Sequence, residues 1–210
     1  MLLLQIVGTF IDVAEKDRMW YYIRREVETM TALKKNLHTI DEIESLPEGE
    51  RAELIDGVIY NMSTPSATHQ SIIFHISGMI WDYIKKNNGT CRAFPAPFSV
   101  YLFQDDQNYF EPDISVICDT DKIDSKGCHG APDWVIEVVS PSTKGRDYLL
   151  KLSKYQQAGV REYWIVDPLD LTVMVYNFEN QDVEKYTFKD QVKAGIYEDL
   201  FIDFSEIELY

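Results

Sequence analysis

A mixed β-sheet with helices packed on it, an α/β (α+β) arrangement, is the fold class that this sequence predicts. Three observations predict it. Two long stretches carry apolar residues at helical spacing, several apolar stretches of strand length lie between them, and Gly- or Asp-containing turns separate one from the next. The 210 residues suffice for one domain with a substantial core. Hydrophobic residues at 45% and charged residues at 26% are ordinary globular usage and exclude a disordered chain.

The elements follow in order. Thr39-Ile40-Asp41-Glu42 has the form of a capping box and opens a short helix that stops at Pro47. Ala52–Ile55 and Val58–Met62 flank Asp56-Gly57, a tight-turn pair, and read as a hairpin. From His69 to Lys86, apolar residues at 72, 73, 76, 79, 80, 83 and 84 form one helical stripe that ends at Gly89. Strands are predicted at 98–103, 113–118 and 133–139. A second helix spans about 146–158 and ends at Gly159. Val160–Val166 is an apolar strand stopped by Asp167-Pro168. Thr172–Phe178 and Val183–Phe188, joined by Glu179-Asn180-Gln181-Asp182, close the chain as a hairpin.

Residues 1–29 differ from the rest, with a short apolar run, a charged cluster, then aromatics and Arg24-Arg25-Glu26. They read as an N-terminal extension, with Met30 a candidate initiator and 30–210 a single domain. A genuine N-terminal helix is the competing reading. The opening Leu run has no basic leader and no clean small-residue cleavage site, and no stretch of 18 apolar residues exists, so no membrane span is expected. Cys91, Cys118 and Cys128 make an odd, irregular set and read as reduced thiols of a cytoplasmic protein. Cys128-His129 lacks the paired ligand spacing that zinc needs.

Glu111-Pro112-Asp113 opens one strand, and Asp133-Trp-Val-Ile-Glu-Val-Val139 forms another with Glu137 in the middle of an apolar run. A strand that is apolar on both faces is buried. An ionised carboxylate there costs several kcal/mol unless it is paired or holds a metal. Asp113 lies beside Glu137 if the two strands pair. Alternation puts Val135, Glu137 and Val139 on one face. The helical period places Asp147, Lys151, Lys154 and Ala158 on one face of the next helix, with Tyr148, Leu152 and Tyr155 on another, so either lysine is in reach of the carboxylates. Two carboxylates and a lysine suit hydrolysis of a phosphodiester, the oxygens holding Mg²⁺ and the lysine stabilising developing charge.

These residues carry a resemblance. Pro112-Asp113, then Pro132-Asp133-x-x-x-Glu137-Val138-x-Ser140-Pro141-Ser142-Thr143, resembles the PD-(D/E)XK nuclease superfamily. The sequence is more closely similar to the Uma-two family of restriction-endonuclease-like proteins. The similarity extends through Glu53-Leu54-Ile55-Asp56-Gly57, His69, Asp147-x-x-x-Lys151-x-x-x-Tyr155 and Gly159-Val160-x-Glu162-Tyr163-Trp164-x-Val166-Asp167-Pro168, from about residue 38 to 208. The resemblance implies a restriction-endonuclease-like core, a central mixed sheet flanked by helices, in a DNA endonuclease. It implies Mg²⁺, with Mn²⁺ as substitute, held by Asp113, Glu137 and the Val138 backbone carbonyl. The superfamily's lysine two residues after the second acid is Val139 here, and the resemblance moves that role to Lys151. Glu53, His69, Asp147 and Lys154 form a second tier.

Each residue also has a plainer reading. Asp113 suits a strand start, Glu137 a buried structural ion pair, Lys151 a solvated helix lysine, His69 a structural hydrogen bond, and Glu53 a surface salt bridge. Ser142 or Thr143 suits a helix N-cap. A net charge of −15, from 35 acids and 20 bases, is an awkward balance for a DNA enzyme. It favours the alternative of a degenerate nuclease fold that serves as a binding or assembly module. A glycosidase-like carboxylate pair is a third reading. Cutting both strands would favour a homodimer.

Overall fold

The computed structural model describes residues 37–141 and 143–210. The proposed extension 1–29, its alternative helix and the candidate initiator Met30 lie outside the described residues, as does Ser142. Helix α1 is Ile40–Glu44, and Glu42 closes the expected capping box by accepting the Thr39 amide at 2.9 Å. Strands β1 (Ala52–Ile55) and β2 (Val58–Asn61) form an antiparallel hairpin. Asp56 (φ 51°) and Gly57 (φ 75°) both adopt positive φ, as a two-residue turn of this hand requires. Helix α2 is Ala67–Lys86. Strands β3 (Arg92–Pro95), β4 (Val100–Tyr101), β5 (Ile114–Ile117), β6 (Cys128–His129) and β7 (Trp134–Val138) follow. A π-helical segment, Arg146–Lys151, runs straight into helix α3, Leu152–Ala158. Strands β8 (Glu162–Asp167), β9 (Thr172–Asn177), β10 (Asp182–Thr187), β11 (Gln191–Lys193) and β12 (Phe201–Asp203) complete the described chain.

The central sheet has the order β10-β9-β8-β7-β5-β3. It is mixed, because β7 and β8 are parallel while the other neighbouring pairs are antiparallel. The parallel pair is joined by the π segment and α3, the kind of crossover that parallel strands need. Every residue of β7 and of β8 is buried. Trp134, Ile136 and Val138 face α2, where Ile72, Ile76 and Ile80 meet them. Val135 and Val139 face the other way, into a second core with Tyr155, Tyr163, Ile165 and Phe110. Glu137 lies on that second face, as alternation requires.

Four expectations are corrected. The predicted strand at 98–103 is only the two-residue β4, and the sheet edge is Arg92–Pro95 instead. Pro95, which has no N–H to donate, is tolerated there because an edge strand leaves one side unpaired. The expected helix 146–158 is regular only from Leu152, its first half being π-helical. The terminal β11–β12 hairpin was not expected from sequence; Val192 and Ile202 pair across it and enter the α2-side core. Finally, Cys91 and Cys118 form a disulfide and are not free thiols. The antiparallel pairing of Arg92 with Ile117 brings the two residues flanking that pair, Cys91 and Cys118, opposite each other. Cys128 is free and buried. His129 is exposed and pairs with Asp124.

Candidate active site

Ile114 pairs with Ile136 across β5 and β7, so Asp113 and Glu137 stand opposite one another one step further along. Glu137 reaches the face away from α2, where Lys151 and Tyr155 meet it, while Asp113 reaches the start of α2. Asp113 Oδ2 accepts the Val138 amide at 2.8 Å and lies 3.2 Å from His69 Nε2. His69 is placed by the first turn of α2, whose N-cap Ser66 Oγ accepts the His69 amide at 3.2 Å. Burial by itself would lower the His69 pKa, but the Asp113 carboxylate and the Val138 backbone carbonyl outweigh it and raise the value.

The π segment and α3 supply the opposite wall. Lys151 is buried, and its Nζ lies 2.8 Å from Glu137 Oε1, 2.8 Å from Glu53 Oε1 and 3.6 Å from Asp147 Oδ1. Tyr155 donates its hydroxyl to Glu137 Oε1 at 2.7 Å. The wider π turn keeps residues four apart in register, so Asp147, Lys151 and Tyr155 share one face. The expected grouping of Lys151 with Lys154, and of Tyr155 with Leu152, is therefore corrected. Lys154 reaches Asp56 in the β1–β2 turn and lies over the Phe103 ring, away from the carboxylates.

Glu53 is fully buried and accepts the Glu111 amide at 3.2 Å, which removes the reading of a surface salt bridge. Asp147 is buried too, and Tyr163 donates to its backbone carbonyl at 3.1 Å. Lys151 is likewise no solvated lysine. Beside this cluster lies a cavity of about 730 Å³, whose lining includes His69, Asp113, Glu137, Val138, Asp147 and Lys151. Arg146 and Tyr155 were not singled out as site residues by sequence. The signal for Tyr155 was its spacing of four from Lys151 in the Asp147-x-x-x-Lys151-x-x-x-Tyr155 run.

The electrostatics are lopsided. Among the described residues, Glu53, Glu137 and Asp147 gather round Lys151, with Arg146 3.7 Å from Glu53, while Asp113 pairs with His69. Burial opposes the charge on Lys151, yet Glu137, Glu53 and Asp147 together push its pKa up. Burial pushes the Glu137 carboxyl well above the usual range against the pull of Lys151, with Asp113, Asp147 and Glu53 adding to the rise. Asp147 is raised as well, again chiefly by burial. Glu53 Oε2 and Asp147 Oδ1 are buried oxygens without hydrogen-bond partners. Unpartnered buried oxygens in a site with excess negative charge are the donor set that a hard divalent cation takes. Among the described residues, no three His, Cys, Asp or Glu side chains converge at ligand spacing.

A central mixed sheet with few helices packed on it is the architecture of the restriction-endonuclease-like class. Comparison with known proteins agrees. Residues 37–206 match the model of the Uma2 family, described as "Putative restriction endonuclease", and the chain belongs to that family. It is 29% identical over 134 residues to the uncharacterized protein slr1290 of Synechocystis, a match that spans 63% of this chain and 68% of that one. Its fold resembles the crystal structure of "a putative nuclease belonging to DUF820" from Anabaena variabilis. The TM-score is 0.62 at 23% identity, covering 81% of this chain and 94% of the other. No described helix is long and apolar enough to cross a membrane.

Proposed function

We propose that this chain is a Mg²⁺-dependent endonuclease that hydrolyses DNA phosphodiester bonds. The observation that carries the reading is the facing pair Asp113 and Glu137 at a cavity, with Lys151 Nζ 2.8 Å from Glu137. Asp113, Glu137 and the Val138 carbonyl would hold the cation, with Glu53 and Asp147 placed beside Lys151. Mn²⁺ is the expected substitute, since both ions take oxygen ligands. A bound divalent cation would acidify water and offset charge on the phosphate.

The chain's own residues do the rest. Lys151 keeps a positive charge in a site sheltered from solvent, where it is worth far more to a developing oxyanion than in water. Tyr155 and Lys151 both hold Glu137 Oε1, which fixes the orientation of that carboxylate. His69 and the Val138 amide do the same for Asp113 Oδ2. Incoming water adds to phosphorus and gives up one proton, the P–O bond to the leaving oxygen breaks, and that oxygen takes up one proton, so water is divided between the two products. Cutting both strands of a duplex would be served by a twofold dimer.

The direct test is incubation with supercoiled plasmid in Mg²⁺, Mn²⁺ or EDTA, beside Glu137→Ala and Lys151→Ala. Metal-dependent nicking that Glu137→Ala abolishes is the expected result. An unchanged rate in that variant removes the assignment. A second reading, a nuclease fold without turnover that binds or assembles, draws on Val139 in the usual lysine position and on the net charge of −15. Calorimetry with Mn²⁺ separates the two, because only an intact site binds the ion.

A further inference from the structure

We infer that Arg146 is the phosphate-binding residue of this site, a role that rests on the nuclease reading but is tested apart from it. Arg51, Arg146 and Lys151 are the Lys and Arg residues among those described that line the cavity. Two of them are taken. Arg51 donates from Nε to Glu111 Oε2 at 2.7 Å, and a second guanidinium nitrogen also contacts that oxygen. Lys151 is held by Glu137 and Glu53. Just outside the lining, Lys154 is paired with Asp56, and Lys144 with Asp167 and Asp170.

Arg146 is different. Its nearest carboxylate oxygen, Glu53 Oε2, is 3.7 Å away, beyond hydrogen-bonding distance. Its Nε is buried and has no hydrogen-bond partner. The guanidinium lies 5.1 Å from the centre of the Tyr60 ring. Glu53 and Tyr60 are cross-strand partners in the β1–β2 hairpin, so the two groups that seat Arg146 come from one pair of facing residues. The π segment begins at Arg146 and carries Asp147 and Lys151, which ties the position of the guanidinium to the acids.

A guanidinium offers five N–H donors in a fixed plane that matches two oxygens of a phosphate. Leaving the buried Nε–H unpaired costs free energy unless a ligand fills it. The aromatic face of Tyr60 holds the plane without using a donor. The ligand class is a phosphate group with two free oxygens, as in a phosphodiester or in inorganic phosphate. Arg146 would grip the substrate, while the acids and Lys151 serve the chemistry.

Two probes test this on the full-length protein, in wild type, Arg146→Gln and Arg146→Lys, after thermal melts confirm that each variant folds. The first is inorganic phosphate followed by ³¹P line broadening. The expected result is broadening by wild type, weakened at least tenfold in Arg146→Gln and only partly restored in Arg146→Lys, because an ammonium cannot grip two oxygens in one plane. Equal phosphate binding in wild type and Arg146→Gln, or none by wild type, overturns the inference. The second probe is a fluorescein-labelled DNA duplex in Ca²⁺, titrated at several salt concentrations. Loss of one phosphate contact is expected to make the salt slope shallower by about 0.9. A slope that Arg146→Gln leaves unchanged also overturns the inference. If phosphate binding depends on Arg146 but wild type neither binds nor cuts DNA, the nuclease reading fails and the anion site stands.

Discussion

Asp113 and Glu137 face each other one step beyond the Ile114–Ile136 pair, and the same register lets Asp113 Oδ2 accept the Val138 amide at 2.8 Å. The backbone that delivers one acid therefore also orients the other. Across the cavity, Lys151 joins Glu137 to Glu53, residues 84 positions apart on separate hairpin and sheet elements. The balance of this cluster governs most of the expected behaviour of the protein.

Replacing Lys151 by Met should destabilise the metal-free protein by about 3–5 kcal/mol, because it leaves buried acids without their shared cation. Glu137→Gln removes one acid from the overloaded side and keeps its shape, so it should change stability far less, or raise it. Urea unfolding of both variants in EDTA checks this. Equal losses would contradict the charge imbalance.

Stability should also depend on pH in a particular sense. Burial raises the folded-state pKa of Glu137 and of Asp147 above their unfolded values. Between the unfolded and folded pKa values the native state binds more protons, so stability falls as pH rises through that window. Melting temperatures in EDTA should therefore be higher at mildly acidic pH than at neutral pH. Saturating Mg²⁺ should weaken or reverse that trend, since the ion competes with the protons for the same oxygens. Glu137→Gln should flatten the EDTA profile.

Tyr155→Phe deletes the hydroxyl that donates to Glu137 Oε1 and leaves the ring packed near Phe110 and Tyr163. The expected cost is about 1–3 kcal/mol for the acceptor left short of a donor. Plasmid nicking should slow as Glu137 loses one of its two holds. A variant with full activity and unchanged stability would show that Lys151 alone positions the carboxylate.

Cysteine titration has a definite expected outcome. The native protein without reductant should show no reactive thiol, because Cys91 and Cys118 are bonded and Cys128 is buried. Burial pushes the Cys128 thiol up to about 11, which suppresses the reactive thiolate at neutral pH. Denaturation should expose Cys128, and added reductant should release the other two. Three thiols on denaturation without reductant would restore the reading of a fully reduced chain.

The sequence by itself determined the local pieces. The stripe of Ile72, Ile76 and Ile80 specifies α2, Asp56-Gly57 specifies the first hairpin turn, and an acid inside an apolar run marks Glu137. Each is readable because helical and strand periods and turn chemistry act over a few residues. Tertiary structure decided the rest. Whether Lys151 or Lys154 turns toward the acids depends on a π-helical register that a regular period does not reveal. Glu53 was open between surface and site until the β1–β2 hairpin packed beside α3 and buried it. Cys91 and Cys118 had no visible relation until β3 took the sheet edge beside β5. Such outcomes come from pairing between distant segments, where one residue of slip turns every side chain to the opposite face.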